Sequence, residues 1–225
     1  FVQPRPLGVV GIVVPWNFPI GMAFQPMIGA LAAGNRVMVK MSENSAQLAR
    51  LLRELLPRYF AADKVSLFAD AAQDDDDDDG GDGVGGKGGA GSRGDVPARG
   101  SIGPLFTQLP FDHLFFTGSA QTGKAVMANC AANLTPVTLE LGGKSPAIVA
   151  PDYPLQQAAE RILWVKMLNA GQICTNVDYL FLPEGQEQAF IAHAQRIVAQ
   201  RYPDLCNGDY TAIIDQRQYD RLQAL

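Results

Sequence analysis

The sequence contains few histidines and cysteines, which limits the sites that it can form. Its 225 residues include two histidines, three cysteines and no Cys-x-x-Cys pair. A metal site, zinc above all, therefore has little support, and any general base is expected to be a carboxylate. The cysteines are odd in number and widely spaced, which fits a reducing compartment such as the cytoplasm better than a disulfide framework.

Long apolar runs and an excess of positive charge are also lacking. No run of about eighteen or more apolar residues is present, so no membrane-spanning helix is expected. The net charge is -5, which argues against a nucleic acid as a partner. Residues 1–5 contain neither an initiator methionine nor a secretory signal, so we expect the chain to be a piece of a longer protein.

Short apolar runs alternate with helical patterns in the first third of the chain. Residues 7–14 form a continuous apolar, β-branched run, which is typical of a strand buried on both faces of a parallel sheet. Further strands are predicted at 37–40 and 65–68, with helices at 27–33 and from an N-cap at Ser45 to Leu56. This alternation predicts an α/β fold with a doubly wound, Rossmann-like parallel sheet that binds a nucleotide at its carboxyl edge.

Residues 71–104 break this pattern with a run of six aspartates followed by glycine-rich sequence. They contain almost nothing apolar to bury, so we predict a disordered low-complexity insertion. We expect a dinucleotide-binding domain at 1–141 and an incomplete catalytic domain, part of a second α/β domain, at 142–225. After the insertion, strands are predicted at 113–117, 137–141, 147–149 and 179–182, and helices at 124–132, 155–168 and 186–201.

A glycine-containing turn, Gly118-Ser-Ala-Gln-Thr-Gly123, follows a predicted strand and opens a predicted helix. Backbone N–H groups at this helix start, together with the Ser119 hydroxyl, can hold a pyrophosphate. The spacing to Lys124 also fits a P-loop, which makes a nucleoside-triphosphatase the rival interpretation. Ala125 stands where that motif needs a hydroxyl for magnesium. A helix cap without any ligand is the third interpretation.

Lys40 ends the second predicted strand, and Glu43 follows three residues later. In a fold of this kind the pair would lie at the adenosine ribose, where a cation and a carboxylate can hydrogen-bond its hydroxyls. Glu43 would repel a 2'-phosphate, so the pair favours NAD over NADP. Solvated side chains at a helix start are the alternative.

Chemically reactive groups occur at three further positions. Cys174 lies among small and amide-bearing residues, as either a nucleophile or a small buried hydrophobe. Glu140 lies between two leucines at a strand end, where desolvation would tune it as a general base; a salt bridge to Lys144 is the alternative. Asn17 lies in a proline-braced loop and can donate to a developing oxyanion, although such an Asn often serves only the turn.

The order of these motifs along the chain is more specific than any one of them. Taken together, they resemble the NAD(P)-dependent aldehyde dehydrogenase superfamily, most closely its coniferyl aldehyde dehydrogenases and their class 3 relatives. The resemblance covers about 1–70 and 105–225. The motifs are Pro15-Trp-Asn-Phe-Pro19, Lys40-x-Ser-Glu43, Phe116-Thr-Gly-Ser119, Leu139-Glu-Leu-Gly-Gly-Lys-Ser-Pro146 and Gly171-Gln-x-Cys174.

The resemblance implies an activity and roles for matching residues. It implies oxidation of an aldehyde, coniferyl or another aromatic aldehyde, to the carboxylic acid with NAD⁺ or, as the second candidate, NADP⁺. Cys174 would be the nucleophile that forms a thiohemiacetal and a thioester, Glu140 the base, and Asn17 part of the oxyanion hole. The full-length relatives are expected to be homodimers. The cofactor-lining residues would be Trp16, Lys40, Glu43, Gly118, Ser119 and Gly123.

A member of another functional class would carry the same motifs. The alternative to the enzyme is a non-catalytic aldehyde dehydrogenase-like fragment or paralogue that acts only as a binding or structural protein. NAD affinity and a Cys174 more reactive than the other cysteines would distinguish the enzyme from it.

Overall fold

The chain divides into two compact units, Phe1–Glu140 and Leu141–Leu225. A computed structural model describes residues 3, 5–70 and 101–225. The first unit contains strands β1 (Val9–Val13), β2 (Arg36–Lys40), β3 (Val65–Phe68), β4 (His113–Thr117) and β5 (Val137–Glu140), and helices α1 (Pro19–Ala32), α2 (Ala46–Leu55), α3 (Gly103–Thr107) and α4 (Ala120–Ala131).

The strands of the first unit form a parallel five-stranded sheet in the order β3-β2-β1-β4-β5. The chain builds outward from β1 through β2 to β3, and then returns to the other side of β1 for β4 and β5. This reversal beside the central strand is the topological switch of a doubly wound Rossmann-like fold. The predicted fold class is confirmed.

Apolar side chains on both faces of the central strands form the core of this unit. Ile12 on β1 and Leu114 on β4 are fully buried, as the continuous apolar pattern of β1 predicts. Each such side chain contributes about 1.5–3 kcal/mol by leaving water. Gly11 lies on β1, and a Cβ at this position would be 2.7 Å from the Phe111 ring. Because glycine has no side chain, the ring can pack against the sheet there.

The second unit is smaller and contains a two-stranded parallel sheet. Helix α5 (Leu155–Met167) packs against α6 (Glu187–Arg201), and their contact is centred on Ala159, Phe190 and Ile197, all of them buried. Phe190 and Ile197 lie on α6, where the sequence predicts a helix at 186–201. The elements are β6 (Ser145–Ile148), α5 (Leu155–Met167), β7 (Val177–Phe181), α6 (Glu187–Arg201) and α7 (Gln216–Gln223).

Some predicted boundaries are wrong. Helix α1 begins at Pro19 rather than near residue 27, because proline at the first helical position lacks only an N–H that would have no helical partner. Helix α4 begins at Ala120 rather than at residue 124, with Ser119 as its N-cap.

Ser45, the predicted N-cap, precedes α2 but makes no side-chain cap hydrogen bond. Instead, the Ser42 hydroxyl accepts a hydrogen bond from Asn44 N, at the start of a 3₁₀ turn.

The predicted insertion at 71–104 falls mostly outside the described residues. Its last positions are described, and there the prediction of disorder is wrong, because helix α3 begins at Gly103. Over the part of the chain that the structure describes, none of the helices has the length and apolar character needed to cross a bilayer.

Candidate active site

The strand register of the first unit aligns the ends of its strands at one edge of the sheet. Val13 at the end of β1 pairs with Lys40 on β2 and with Phe116 on β4. Thr117, the next residue of β4, pairs with Glu140, the last residue of β5. The loops that carry the predicted site residues of this unit therefore all begin at the carboxyl edge, where doubly wound sheets bind their ligands.

Lys40 lies at this edge in contact with two carboxylates. Its side chain is 5% exposed, and its Nζ lies 2.8 Å from Glu43 Oε1 and 3.1 Å from Asp70 Oδ2. Asp70 Oδ2 accepts no hydrogen bond within the described chain, so its contact with Lys40 is a charge–charge contact. Its other oxygen, Oδ1, accepts a hydrogen bond from Ile102 N. The Lys40–Glu43 pair that the sequence predicts is thus part of a group with one more acid.

Sequence reasoning missed Asp70. It lies two residues after β3, beside the low-complexity stretch, and it belongs to no motif of the resemblance. A signal was present, however, because a carboxylate that follows a third parallel strand lies at the same sheet edge as the residue that ends the second.

The Glu43 carboxyl is held in its charged form. Partial burial by itself raises the pKa of Glu43. The hydrogen bond from Lys40 and the positive charge of Lys40 lower the pKa by more than burial raises it, and the net result is a fall from 4.5 to about 2. Glu43 therefore presents a negative charge at neutral pH next to the Lys40 ammonium. The Glu43 side chain is 56% exposed, so a ligand can reach the carboxylate, although its Oε1 already accepts hydrogen bonds from Lys40 and Ser101.

The turn from β4 into α4 contains three small residues, Gly118, Ser119 and Gly123. A Cβ on Gly118 would lie 2.5 Å from the Phe116 ring, so a larger residue does not fit there. Ser119 is exposed, and its Oγ accepts a hydrogen bond from Thr122 N at 3.1 Å and lies 2.9 Å from Thr122 Oγ1. Gly123 is buried in the first turn of α4. The predicted phosphate turn is therefore a capped helix start at the carboxyl edge.

Thr117, which precedes this turn, has a hydroxyl without a partner. Its Oγ1 is buried and makes no hydrogen bond within the described residues. Burying a hydroxyl without a hydrogen bond costs roughly 1–3 kcal/mol. Sequence reasoning assigned no role to Thr117, although the residue stands inside one of the motifs. An unsatisfied hydroxyl beside the helix start fits a ligand with polar groups at this edge.

Glu140 is exposed, so the expectation that the flanking leucines desolvate it is wrong for the described chain. The alternative salt bridge to Lys144 is also not found, because Lys144 pairs with Asp178 on β7. Glu140 instead ends β5 with its carbonyl accepting a hydrogen bond from Gly118 N at 3.0 Å. Trp16 and Asn17 are partly buried in the loop between β1 and α1, and Asn17 has contacts of its own.

Cys174 lies in the second unit, in the connection between α5 and β7. It is exposed and forms no disulfide, so the interpretation as a small buried hydrophobe is wrong. Cys130 is the buried cysteine, and burial raises the pKa of its thiol. Cys206 is exposed like Cys174, which makes it an internal reference for thiol reactivity.

The backbone before Cys174 has an unusual conformation. Asn169 (φ 52°, ψ 37°), Ala170 (φ 52°, ψ 31°) and Gly171 (φ 78°) follow one another in the left-handed region. For residues other than glycine this conformation costs roughly 1–2 kcal/mol, least for asparagine. Asn176, which is buried, holds the far side of the turn by donating from Nδ2 to Lys166 O at 3.2 Å. The thiol therefore follows a short, tightly constrained turn.

The donors and acceptors of the first unit fit a dinucleotide. The Lys40 ammonium and the Glu43 carboxylate offer one donor and one acceptor to a diol, and the capped start of α4 offers N–H groups to a phosphate. The partnerless Thr117 hydroxyl adds a polar contact beside them. Within the described ranges no group of three or more His, Cys, Asp or Glu residues is suited to a metal ion.

Comparisons with known proteins agree with this fold. The model of the aldehyde dehydrogenase family matches residues 1–64 and 96–225. The chain is 46% identical to a probable coniferyl aldehyde dehydrogenase of Pseudomonas aeruginosa, over 97% of the chain and 40% of that protein. It is 36% identical to the mouse dimeric NADP-preferring aldehyde dehydrogenase, over 99% of the chain and 43% of that protein.

Among solved structures, the chain is similar to a Mycobacterium tuberculosis aldehyde dehydrogenase complexed with NAD⁺. The TM-score is 0.76 at 27% identity, with 97% of this chain and 41% of that one covered. The chain thus spans about two fifths of the length of the proteins that it matches.

Proposed function

The chain belongs to the aldehyde dehydrogenase family, and from this premise we propose that it takes part in oxidising an aldehyde to a carboxylic acid with NAD⁺. The first unit would serve as the dinucleotide-binding domain and the second as part of the catalytic domain. The observation that carries the proposal is the exposed Cys174 thiol, which follows a constrained turn in the position of the family's Gly-Gln-x-Cys motif.

Binding of the cofactor would use the carboxyl edge of the first sheet. Lys40 and Glu43 would hydrogen-bond the hydroxyls of the adenosine ribose, and the start of α4 with the Ser119 hydroxyl would hold the pyrophosphate. Trp16, Gly118 and Gly123 would line the remaining contacts. The charged Glu43 carboxylate disfavours a 2'-phosphate, so NAD⁺ is the first candidate and NADP⁺ the second. When bound, the cofactor would supply the hydride acceptor that the oxidation needs.

The chain's own residues would carry out the remaining steps. Cys174 attacks the aldehyde carbon as the thiolate and forms a thiohemiacetal, whose alkoxide accepts hydrogen bonds from the Asn17 amide and the Cys174 main-chain N–H. Loss of the hydride leaves a thioester on Cys174. Glu140 takes a proton from a water molecule, which attacks the thioester and releases the carboxylic acid and the thiolate.

The substrate class that we propose is an aromatic aldehyde of the coniferyl type. Its support is the similarity to the coniferyl aldehyde dehydrogenase of P. aeruginosa. We further propose that the protein works in a reducing compartment such as the cytoplasm, since Cys130, Cys174 and Cys206 are all free thiols. A homodimer of the full-length protein stays a prediction.

The proposal is tested by replacing the exposed cysteines one at a time. NADH formation is followed by fluorescence and the acid by chromatography, with coniferaldehyde, benzaldehyde, hexanal and acetaldehyde as substrates. Cys174→Ala is expected to lower turnover by roughly 1,000-fold or more, because the nucleophile is lost. Cys206→Ala, which removes a thiol of similar exposure, is expected to retain it.

The rival, a non-catalytic binding protein, gives a different result. It predicts no acid product, no NAD⁺ affinity in calorimetry, and a Cys174 that iodoacetamide alkylates no faster than Cys206. That combination would overturn the enzymatic proposal.

A further inference from the structure

The side-chain amide of Gln172 forms hydrogen bonds with three main-chain groups. Its Nε2 donates to Asn169 O at 3.0 Å and to Ala212 O at 3.1 Å, and its Oε1 accepts from Ile214 N at 3.0 Å. Both ends of the amide are therefore engaged, two residues before the thiol of Cys174. Asn169 is a neighbour in sequence, whereas Ala212 and Ile214 lie about forty residues further along the chain.

These bonds act on the strained part of the Cys174 connection. Asn169 O accepts two hydrogen bonds from Gln172, one from the main-chain N at 3.0 Å and one from the side-chain Nε2. Both bonds span the left-handed turn and stabilise it. Asn169 Nδ2 donates back to Gln172 O at 3.3 Å. A turn of left-handed residues is intrinsically disfavoured, and it persists only where surrounding contacts over-determine it. Gln172 supplies those contacts on the side of the turn that faces residues 212–214.

A second amide restrains the other side of the thiol. Asn176 N donates to Ile173 O at 3.2 Å, while the Asn176 side chain binds Lys166 O at the end of α5. Cys174 thus lies between two anchored residues, one bound to the 212–214 segment and one to the helix before it. Its main chain has little freedom, although its side chain is exposed.

We propose that Gln172 is a positioning residue, whose amide fixes the main chain of residues 172–174 on the 212–214 segment and thereby sets the reactivity of the Cys174 thiol. This inference rests on the proposed nucleophilic role of Cys174. Gln172 itself takes no part in bond making. Its effect is to hold the Cys174 sulfur and main-chain N–H in one arrangement, and small displacements of such groups slow a reaction strongly.

The test compares Gln172→Met with Gln195→Met. Methionine keeps the length of the side chain but removes all three hydrogen bonds, and Gln195 is an exposed glutamine on α6. The measured quantity is the rate of iodoacetamide alkylation of Cys174 divided by that of Cys206 in the same protein, over a series of pH values. Gln172→Met is expected to lower this ratio by about 10–100-fold, toward one. Gln195→Met is expected to leave it unchanged.

Hydrogen exchange shows whether the anchor itself is lost. In Gln172→Met the Ile214 amide is expected to lose its protection, while the amides of α5 and α6 keep theirs. If the methionine variant unfolds, Gln172→Glu replaces it. Glutamate keeps the acceptor for Ile214 N, and its protonated form regains one donor, so the Cys174 ratio is expected to recover as the pH falls. A structural role alone predicts no such pH-dependent recovery.

The outcomes separate this inference from the proposed function. A wild-type protein in which Cys174 reacts no faster than Cys206 and forms no NADH overturns the proposed function, and the role of Gln172 with it. A wild-type ratio well above one that stays the same in folded Gln172→Met overturns only the role of Gln172.

Discussion

Gly171 and Gly185 share a backbone φ of +78° but differ in their surroundings. A Cβ on Gly171 would lie 3.1 Å from Asn176 Nδ2 and 3.3 Å from Lys166 O, whereas a Cβ on Gly185 would meet nothing within 4 Å. Both positions belong to the second unit. The two glycines therefore separate the cost of the left-handed backbone from the cost of crowding in the turn before Cys174.

This pair gives a prediction at the scale of a residue. Gly185→Ala is expected to lower the free energy of unfolding by about 1 kcal/mol, the backbone cost alone. Gly171→Ala is expected to cost about 1–2 kcal/mol more, because Asn176 or the end of α5 has to move. Urea unfolding followed by Trp164 fluorescence measures both losses.

The same substitutions bear on the thiol. Gly171→Ala should also slow alkylation of Cys174, and Gly185→Ala should not. Equal losses of stability together with unchanged Cys174 reactivity would contradict this account of the turn.

At the scale of the element, α4 is followed by a strained residue, Leu134, that the sequence pattern does not indicate. The helix ends at Ala131, and Cys130 O then accepts hydrogen bonds from Asn133 N and Thr135 N, both at 3.1 Å. Between these two donors, Leu134 takes φ +54° with 89% of its surface exposed. A helix end of this kind favours glycine or asparagine at the left-handed position.

Leu134→Asn is therefore expected to raise the free energy of unfolding by about 1 kcal/mol, since asparagine adopts the left-handed region at lower cost. Leu134→Ala is the matched control and is expected to give no gain, because alanine pays the same backbone cost as leucine. The urea midpoint of the first unit, reported by Trp16 fluorescence, compares the two. A larger gain for alanine than for asparagine would show that the exposed apolar surface, rather than the backbone, is the liability.

Sequence patterns predict a helix or strand well where apolar side chains follow its periodicity. They predict its ends poorly, because proline and N-cap chemistry of the backbone determine where a helix starts. The strand at 113–117 agrees with β4, because its apolar run is bounded by polar and glycine residues. The pattern does not predict the start of α1, because proline usually breaks a helix whereas α1 contains both Pro19 and Pro26. The predicted start of α4, residue 124, is too late, because the glycines of the preceding turn make the Ser119 N-cap hard to recognise from sequence.

The candidate site was predictable to the same extent. Motifs located Lys40 and Glu43, whose contact the structure contains at 2.8 Å. Asp70 and the partners of Gln172 could not be found in this way, because their contacts join residues that are distant along the chain and follow from the fold. The catalytic roles of Cys174, Glu140 and Asn17 stay predictions.

At the scale of the whole molecule, the two tryptophans report on different parts of the chain. Trp16 belongs to the first unit and Trp164 to the second, and each unit has its own apolar cluster. Single-tryptophan variants, Trp164→Phe and Trp16→Phe, therefore allow the unfolding of each unit to be followed by itself.

Core substitutions in these backgrounds are expected to act locally. Leu114→Ala removes a fully buried side chain from the first sheet and should lower the stability reported by Trp16 by about 2–5 kcal/mol. Ile197→Ala should act in the same way on the signal of Trp164. Denaturant unfolding of the four variants measures this, and an equal response of both tryptophans to either substitution would mean that the chain unfolds as one cooperative block.

The turn formed by Asn169, Ala170 and Gly171 also bears on how this segment can be re-engineered. The angles of Ala170, φ 52° and ψ 31°, are the mirror image of those of an ordinary right-handed helix. A D-alanine introduced at this position by chemical ligation would therefore adopt its natural conformation, whereas the L-residue is held against its preference. Stereochemistry thus offers a way to relax the backbone before Cys174 without changing a single side-chain atom.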